Sequence, residues 1–97
     1  MARTPIFVTP RAVRAFHQKV KHAGIEMAAY LCVSVDSNGQ KASSIGTSYD
    51  PKVEECFEAD GVLVVVRFDE LNIFRGAIVD YDESIYLSSF SIRVPPS

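Results

Sequence analysis

Two histidines, two cysteines and a short run of carboxylates are the residues of this chain best suited to do chemistry. His17 and His22 lie five positions apart on a helix-like segment. At about 100° per residue they point about 140° apart around the axis, so they cannot chelate one metal ion. They read as exposed polar residues on a basic face. Cys32 lies in "AYLCVSVD" and Cys56 in "EECFEAD", both strand-like stretches where a free cysteine acts as a small hydrophobe. There is no CxxC and no Cys/His pair at ligand spacing, which argues against zinc. Asp80, Asp82 and Glu83 form an acidic cluster after a strand. A calcium loop needs acids at alternate positions, a central glycine and a terminal glutamate over about twelve residues, and this segment lacks that register. A weak divalent-ion contact is the most it offers. The stretch "DSNGQKASSIG", residues 36–46, is small, polar and glycine-bounded. Such a loop lets backbone approach a ligand, or it simply turns. As a phosphate loop it fails, because Gly39 and Gly46 are seven apart and no lysine follows the second. Nucleophilic catalysis needs a nucleophile, a base and an orienting group within mutual reach, and no such set stands out. The expectation is no catalytic residue, no metal site and no cofactor.

The elements that must position these groups are legible from periodicity. Thr9 fits an N-cap and Pro10 the first helical position, where a missing N–H costs nothing. Val13, Phe16, Val20 and Ala23 then form one apolar stripe, and Gly24 stops the helix. "MAAYLCVSVD" (27–36) predicts a strand with Leu31, Val33 and Val35 on one face and Cys32 and Ser34 on the other. "ASSIGTSYD" (42–50) predicts a weaker strand, with Gly46 marking a bulge or close backbone contact. Asp60-Gly61 is a hairpin signal between a mixed arm and the arm Val62 to Val66. That second arm is apolar on both faces, as a central strand covered twice would be. Asp69 is placed to cap a short helical turn, "DELNIFRG", with Leu71 and Phe74 facing inward and Gly76 ending it. "AIVDY" and "IYLSSFSIRV" predict two closing strands, and Pro95-Pro96 ends pairing. One helix followed mainly by strands is the α+β class, with the helix packed on the sheets.

Composition narrows the function classes. Ninety-seven residues with 47% apolar and 23% charged residues predict one globular domain, 1–97. No apolar run approaches the roughly 20 residues needed to cross a bilayer. The opening "MARTPIFVTPRAV" has no apolar block long enough for a secretory signal, so a cytoplasmic protein without membrane contact is expected. Residues 1–25 hold five bases (Arg3, Arg11, Arg14, Lys19, Lys21) and no acid. Residues 26–97 hold five bases and twelve acids, so charges of +5 and −7 make up the net −2. Most of the basic charge falls on the helix. A solvated face is the commoner reading of such a stripe; an acidic partner or a weak phosphate contact is the other. Nucleic acid is not expected, because no aromatic residues are interleaved with the bases on the exposed face and the chain has no overall positive balance.

The order "VTPRAVRAF", "AYLCVSVD", a small-residue loop, "FEADGVLVVV", "GAIVDY" and "SSFSI" followed by proline resembles the HesB-like, or IscA-like, family of A-type carriers in iron–sulfur cluster assembly. The resemblance runs from about residue 6 to residue 96 and is one of scaffold. It implies a mostly-β sandwich or pseudo-barrel with an N-terminal helix and one short helical turn. The family's function rests on cysteine thiolates, which suit soft metals and clusters. One lies in a "GGCSGF"-like loop and two in a C-terminal "CGC". Counting back from "GTSYD", the loop cysteine falls on Gln40, and the family's cluster loop maps to Asn38, Gly39, Gln40, Lys41 and Ser43. The sequence ends at "VPPS", where the family continues to its paired cysteines. The resemblance therefore implies a relative without the cluster ligands, non-enzymatic, acting as an interaction or regulatory module. The alternative is an iron or cluster binder that uses unusual ligands such as Cys32, Cys56 or the acidic cluster. Arg11, Arg14, Lys19 and Lys21 are the candidate contacts for an unidentified protein partner. The family forms dimers and tetramers, so a homo-oligomer is implied as an option.

Overall fold

Leu31 and Val33 are buried while Cys32 and Ser34 between and beyond them are only half covered. That alternation is the mark of a strand with one face on a core. The same logic orders the whole chain. The computed structural model describes residues 6–25, 28–83 and 88–94. Its elements are β1 (Ile6–Val8), α1 (Pro10–Ala23), β2 (Tyr30–Val35), β3 (Lys41–Gly46), β4 (Glu54–Ala59), β5 (Val62–Arg67), a 3₁₀ turn (Phe68–Glu70), β6 (Ala77–Glu83) and β7 (Ser88–Arg93). The strands form a three-stranded sheet ordered β1-β6-β7 and a four-stranded sheet ordered β3-β2-β5-β4. β1 runs parallel to β6 and β2 parallel to β5, while the hairpins β2–β3, β4–β5 and β6–β7 are antiparallel. This is the mostly-β, one-helix architecture expected from the sequence. Met27, Pro95 and Pro96, on which some strand-limit expectations fell, lie outside the described residues.

One core joins the two sheets and the helix. It holds Ile6, Val8, Ala12, Phe16, Val20, Leu31, Val33, Phe57, Val64, Val66, Phe74 and Val79 among others. Phe74 is fully buried, so truncating it to alanine would cost roughly 3–5 kcal/mol. Thr9 caps α1 as expected, its Oγ1 accepting from Ala12 N–H at 3.3 Å, with Pro10 at the first helical position. At the other end Gly24 N–H donates to Lys21 O and Ile25 N–H to Val20 O, both at 3.1 Å, closing the helix. The buried stripe is Ala12, Ala15, Phe16 and Val20, rotated slightly from the expected one. Ala23 is exposed because it borders an open groove, with Ile45 and Tyr81 across it, and Val13 is half-buried.

Asp60 and Gly61 turn the β4–β5 hairpin with φ of 54° and 88°. Positive φ at both central residues gives a twist that matches the flanking strands, and Asp-Gly tolerates it. β5 is central, as expected, and Val64, Val65 and Val66 are all buried. Its second cover is partial. To join the opposite edges β3 and β4, residues 47–53 must cross the outer face of the sheet. Tyr49, on that crossing, meets the Tyr30 ring at 5.2 Å and bonds to Cys56. Val65, outside the main core, is 1% exposed, whereas Leu63 two residues earlier stays 44% exposed. The expected helical turn is a 3₁₀ turn that starts one residue earlier, at Phe68. Asp69 does not cap it: its carboxylate accepts from Arg67 Nε at 3.1 Å and Nη2 at 3.2 Å. Among the described residues no helix is long and apolar enough to cross a membrane.

Candidate functional site

The loop 36–40 is a tight connection between β2 and β3. Asp36 organises it. Its Oδ1 accepts from Asn38 N–H and Gln40 N–H, both at 2.9 Å. Asp36 O accepts from Gly39 N–H at 3.0 Å, and Asp36 N–H donates to Gln40 O at 2.8 Å. Asn38, Gly39, Gln40 and Lys41 are exposed, and Ser43 is half-buried on β3. Every amide from Asn38 to Gln40 is thus turned onto Asp36, and the carboxylate at the centre repels anions. The loop's own backbone does not present a cradle for phosphate.

Cys32 and Cys56 are brought to one face of the four-stranded sheet. Cys32 pairs in register with Val65, and Cys56 pairs with Val65 from the other side. Two interstrand steps of about 4.8 Å put their Cα atoms about 10 Å apart, beyond the roughly 7 Å limit for a disulfide. Both cysteines are free. Burial pushes the Cys32 thiol up, and the Glu54 charge adds to that. Burial also pushes the Cys56 thiol up, partly offset by a hydrogen bond from the Tyr49 hydroxyl. Both therefore stay protonated at neutral pH, which suits packing better than nucleophilic attack or metal ligation.

The acidic cluster separates. Asp80 lies within β6 rather than after a strand, and it is 9% exposed. Its Oδ1 accepts from Thr9 Oγ1 at 2.6 Å, Arg11 Nε at 2.9 Å and Tyr81 N–H at 2.8 Å. Its Oδ2 accepts from Arg11 Nη2 at 2.6 Å. Arg11 first, then Thr9 and the Tyr81 amide, hold its carboxyl well below the usual carboxylate range. Asp80 thus fastens the helix start to the sheet and does not face outward with Asp82 as one cluster. Asp82 is exposed, and the side chain of Glu83 lies outside the described ones. Among the described residues, no three His, Cys, Asp or Glu side chains converge as a metal site would require.

The basic helix divides in the same way. Arg11 is engaged by Asp80, while its side chain stays 61% exposed. Arg14, His17, Lys19, Lys21 and His22 are exposed. Lys19 Nζ sits 5.5 Å from the Tyr81 ring centroid, and that ring meets Phe90 edge-on at 5.0 Å. Sequence reasoning missed an open groove of about 660 Å³ beside this lysine. Ala15, Gln18, Lys19, His22, Ala23, Ile25, Ile45 and Tyr81 line it. It forms where α1, β3 and β6 meet, a juxtaposition no local pattern announces. Sequence reasoning also missed two side-chain ties. Asp60 Oδ2 accepts from Val8 N–H at 2.8 Å, and Glu70 Oε1 from Val35 N–H at 3.3 Å.

Two sheets closed by one helix, with a hairpin loop after the second strand, define the HesB-like fold, and this chain has it. The crystal structure of Escherichia coli SufA, involved in biosynthesis of iron–sulfur clusters, superposes with a TM-score of 0.76 at 18% identity, covering 96% of this chain and 88% of that one. The crystal structure of IscA with its [2Fe-2S] cluster gives 0.68 at 18% identity, covering 94% and 86%. The solution structure of a protein from Aquifex aeolicus gives 0.72 at 29% identity, covering 98% and 97%. In sequence, the chain is 28% identical over 94 residues to the uncharacterized protein SufA of Bacillus subtilis (strain 168), covering 94% of this chain and 78% of that protein. No family model matches the chain.

Proposed function

We propose that this chain is a non-enzymatic protein on the iron–sulfur carrier scaffold that lacks the cysteine ligands and works in the cytoplasm as an interaction or regulatory module. The observation that carries this reading is the 36–40 turn. By the sequence resemblance the carriers' loop cysteine falls on Gln40, whose amide side chain is a poor ligand for a cluster. Around it, the amides from Asn38 to Gln40 are taken up by Asp36. Cys32 and Cys56 do not substitute, because Val65 stands between them and both thiols are pushed up. What the scaffold keeps is surface, above all the exposed basic side of α1.

A second reading is an iron or cluster binder with non-standard ligands. It has one observation in its favour: the two thiols share a sheet face, and the Glu54 carboxylate is close enough to act on Cys32. Anaerobic reconstitution with ferrous iron and sulfide separates the two. The proposed function expects a colourless protein after desalting. A stoichiometric brown chromophore that Cys32→Ser or Cys56→Ser abolishes would establish the second reading instead.

A further inference from the structure

The exposed side of α1 carries cations in two adjoining rows. Arg14, His17 and Lys21, at i, i+3 and i+7, line one shallow groove, and Lys19 and His22 rim the larger one beside it. Ala15 and Gln18 belong to both, so the two are continuous. Among the described residues no acid lines either groove. The larger groove has an apolar floor of Ile25, Ile45 and Tyr81. Its volume of about 660 Å³ is enough for one large side chain and the backbone around it.

We propose that this face binds an extended acidic segment of a partner protein, with one bulky apolar side chain seated on Ile25, Ile45 and Tyr81. The inference rests on the interaction-module reading and names its partner. Charge complementarity selects the chemistry. Seven helical residues separate Arg14 from Lys21, about 10 Å along the axis. Residues three apart in an extended chain are also about 10 Å apart, so a segment with carboxylates at that interval meets both cations. A single small anion reaches one cation only. Lys19 reinforces the choice, because Nζ over the Tyr81 ring puts a positive charge at the lip of the apolar floor. A nucleic acid fits less well, since its long run of phosphates would also meet the acid-rich remainder of the chain.

The test is fluorescence anisotropy of the full chain with a fluorescein-labelled peptide, SDEFDELDES. Binding is expected, weakening by about tenfold between about 50 mM and about 300 mM salt, as the screening length falls from roughly 14 Å to roughly 6 Å. Arg14→Glu with Lys21→Glu should weaken it by about tenfold or more, while Arg14→Lys with Lys21→Arg should preserve it. Replacing Phe and Leu of the peptide by Ser should weaken it by about fivefold or more. Ala23→Glu, on the exposed wall of the larger groove, is an independent variant with the same expected loss. Circular dichroism and the urea midpoint establish that each variant is folded. Absence of binding by the native protein would overturn the proposal, as would indifference to both charge reversals. Equal or tighter binding of a dT10 oligonucleotide would reassign the face to nucleic acid. Self-association displaced by the peptide would reassign it to a second copy. A colourless protein that ignores the peptide refutes this inference alone; a ligated cluster refutes the reading beneath it.

Discussion

Gly46 has no positive φ to explain it, yet a Cβ built there would meet Cys32 Sγ at 3.3 Å. The substitution Gly46→Ala therefore asks whether Cys32 is a packing residue, as the colourless-protein reading requires. Two effects oppose each other. Alanine in a strand interior is favoured over glycine by roughly 0.5–1 kcal/mol where there is room. A contact at 3.3 Å must give by a few tenths of an ångström, and the low end of the overpacking range is about 1 kcal/mol. The net change should be small, from neutral to about 0.5 kcal/mol destabilising. With Cys32→Ala in place the contact is gone, and the same glycine replacement should stabilise by about 0.5–1 kcal/mol. The coupling between the sites is then about 1 kcal/mol. With a urea m-value near 1 kcal/mol/M for a chain of this size, that is a midpoint difference of about 1 M. Urea titrations of the four proteins by far-UV circular dichroism resolve it readily. An equal effect of Gly46→Ala in both backgrounds would refute the claim that this glycine accommodates the thiol.

Asp80→Asn should lower the urea midpoint at pH 7, and the gap to the native protein should narrow as pH falls below about 4. The sign follows from the depressed carboxyl: its contribution is present above the unfolded-state pKa and is lost as pH drops toward the folded one. A gap constant from pH 7 to the acid limb would remove Asp80 from the account. Asp60→Ala should cost about 1–2 kcal/mol by leaving Val8 N–H without its acceptor, and Asp60→Asn should cost less. Hydrogen exchange at Val8 read together with the urea midpoint checks this, and unchanged protection would contradict it. Thiol titration with Ellman's reagent at pH 8 should be slower than for free cysteine at both sites, and slowest at Cys32, where the Glu54 charge acts and Gly46 packs close. Reaction as fast as a free thiol would point to a thiolate and favour the cluster-binding reading.

Much of this fold was legible because local chemistry and tertiary placement agree. Thr9-Pro10, Gly24 and Asp60-Gly61 each specify a backbone conformation that the structure adopts. The alternation of Leu31, Val33 and Val35 gave the buried face of β2. Three things were not legible, and two of them are long-range. Asp80 looked like a member of an acidic cluster because Asp82 and Glu83 are its neighbours in sequence; its partners, Thr9 and Arg11, are about seventy positions away. Asp69 had the composition of a cap, but Arg67 two residues earlier takes its carboxylate. The groove beside Lys19 needs residues from positions 15 to 81, so no window of sequence contains it.

The distribution of these contacts bears on which positions of the fold are free to vary. Among the described residues, side-chain ties between distant elements are Thr9 and Arg11 to Asp80 at one seam, Asp60 to Val8 at another and Glu70 to Val35 at a third. None is at the tip of the 36–40 turn. That tip is exposed, and its geometry is fixed by Asp36 through backbone amides, which any residue at position 40 except proline supplies. A cysteine or a glutamine there makes the same turn with little difference in stability, since surface substitutions clear of special contacts stay within about 0.5 kcal/mol. Stability therefore places almost no constraint on the residue at position 40. The basic face of α1 differs in one respect. Its cations share the helix with Phe16 and Val20, whose burial orients the whole element, so the face is presented wherever the fold forms. On this scaffold the residue at position 40 is free to vary while the surface of α1 stays in register, and that asymmetry makes binding at α1 the property to measure.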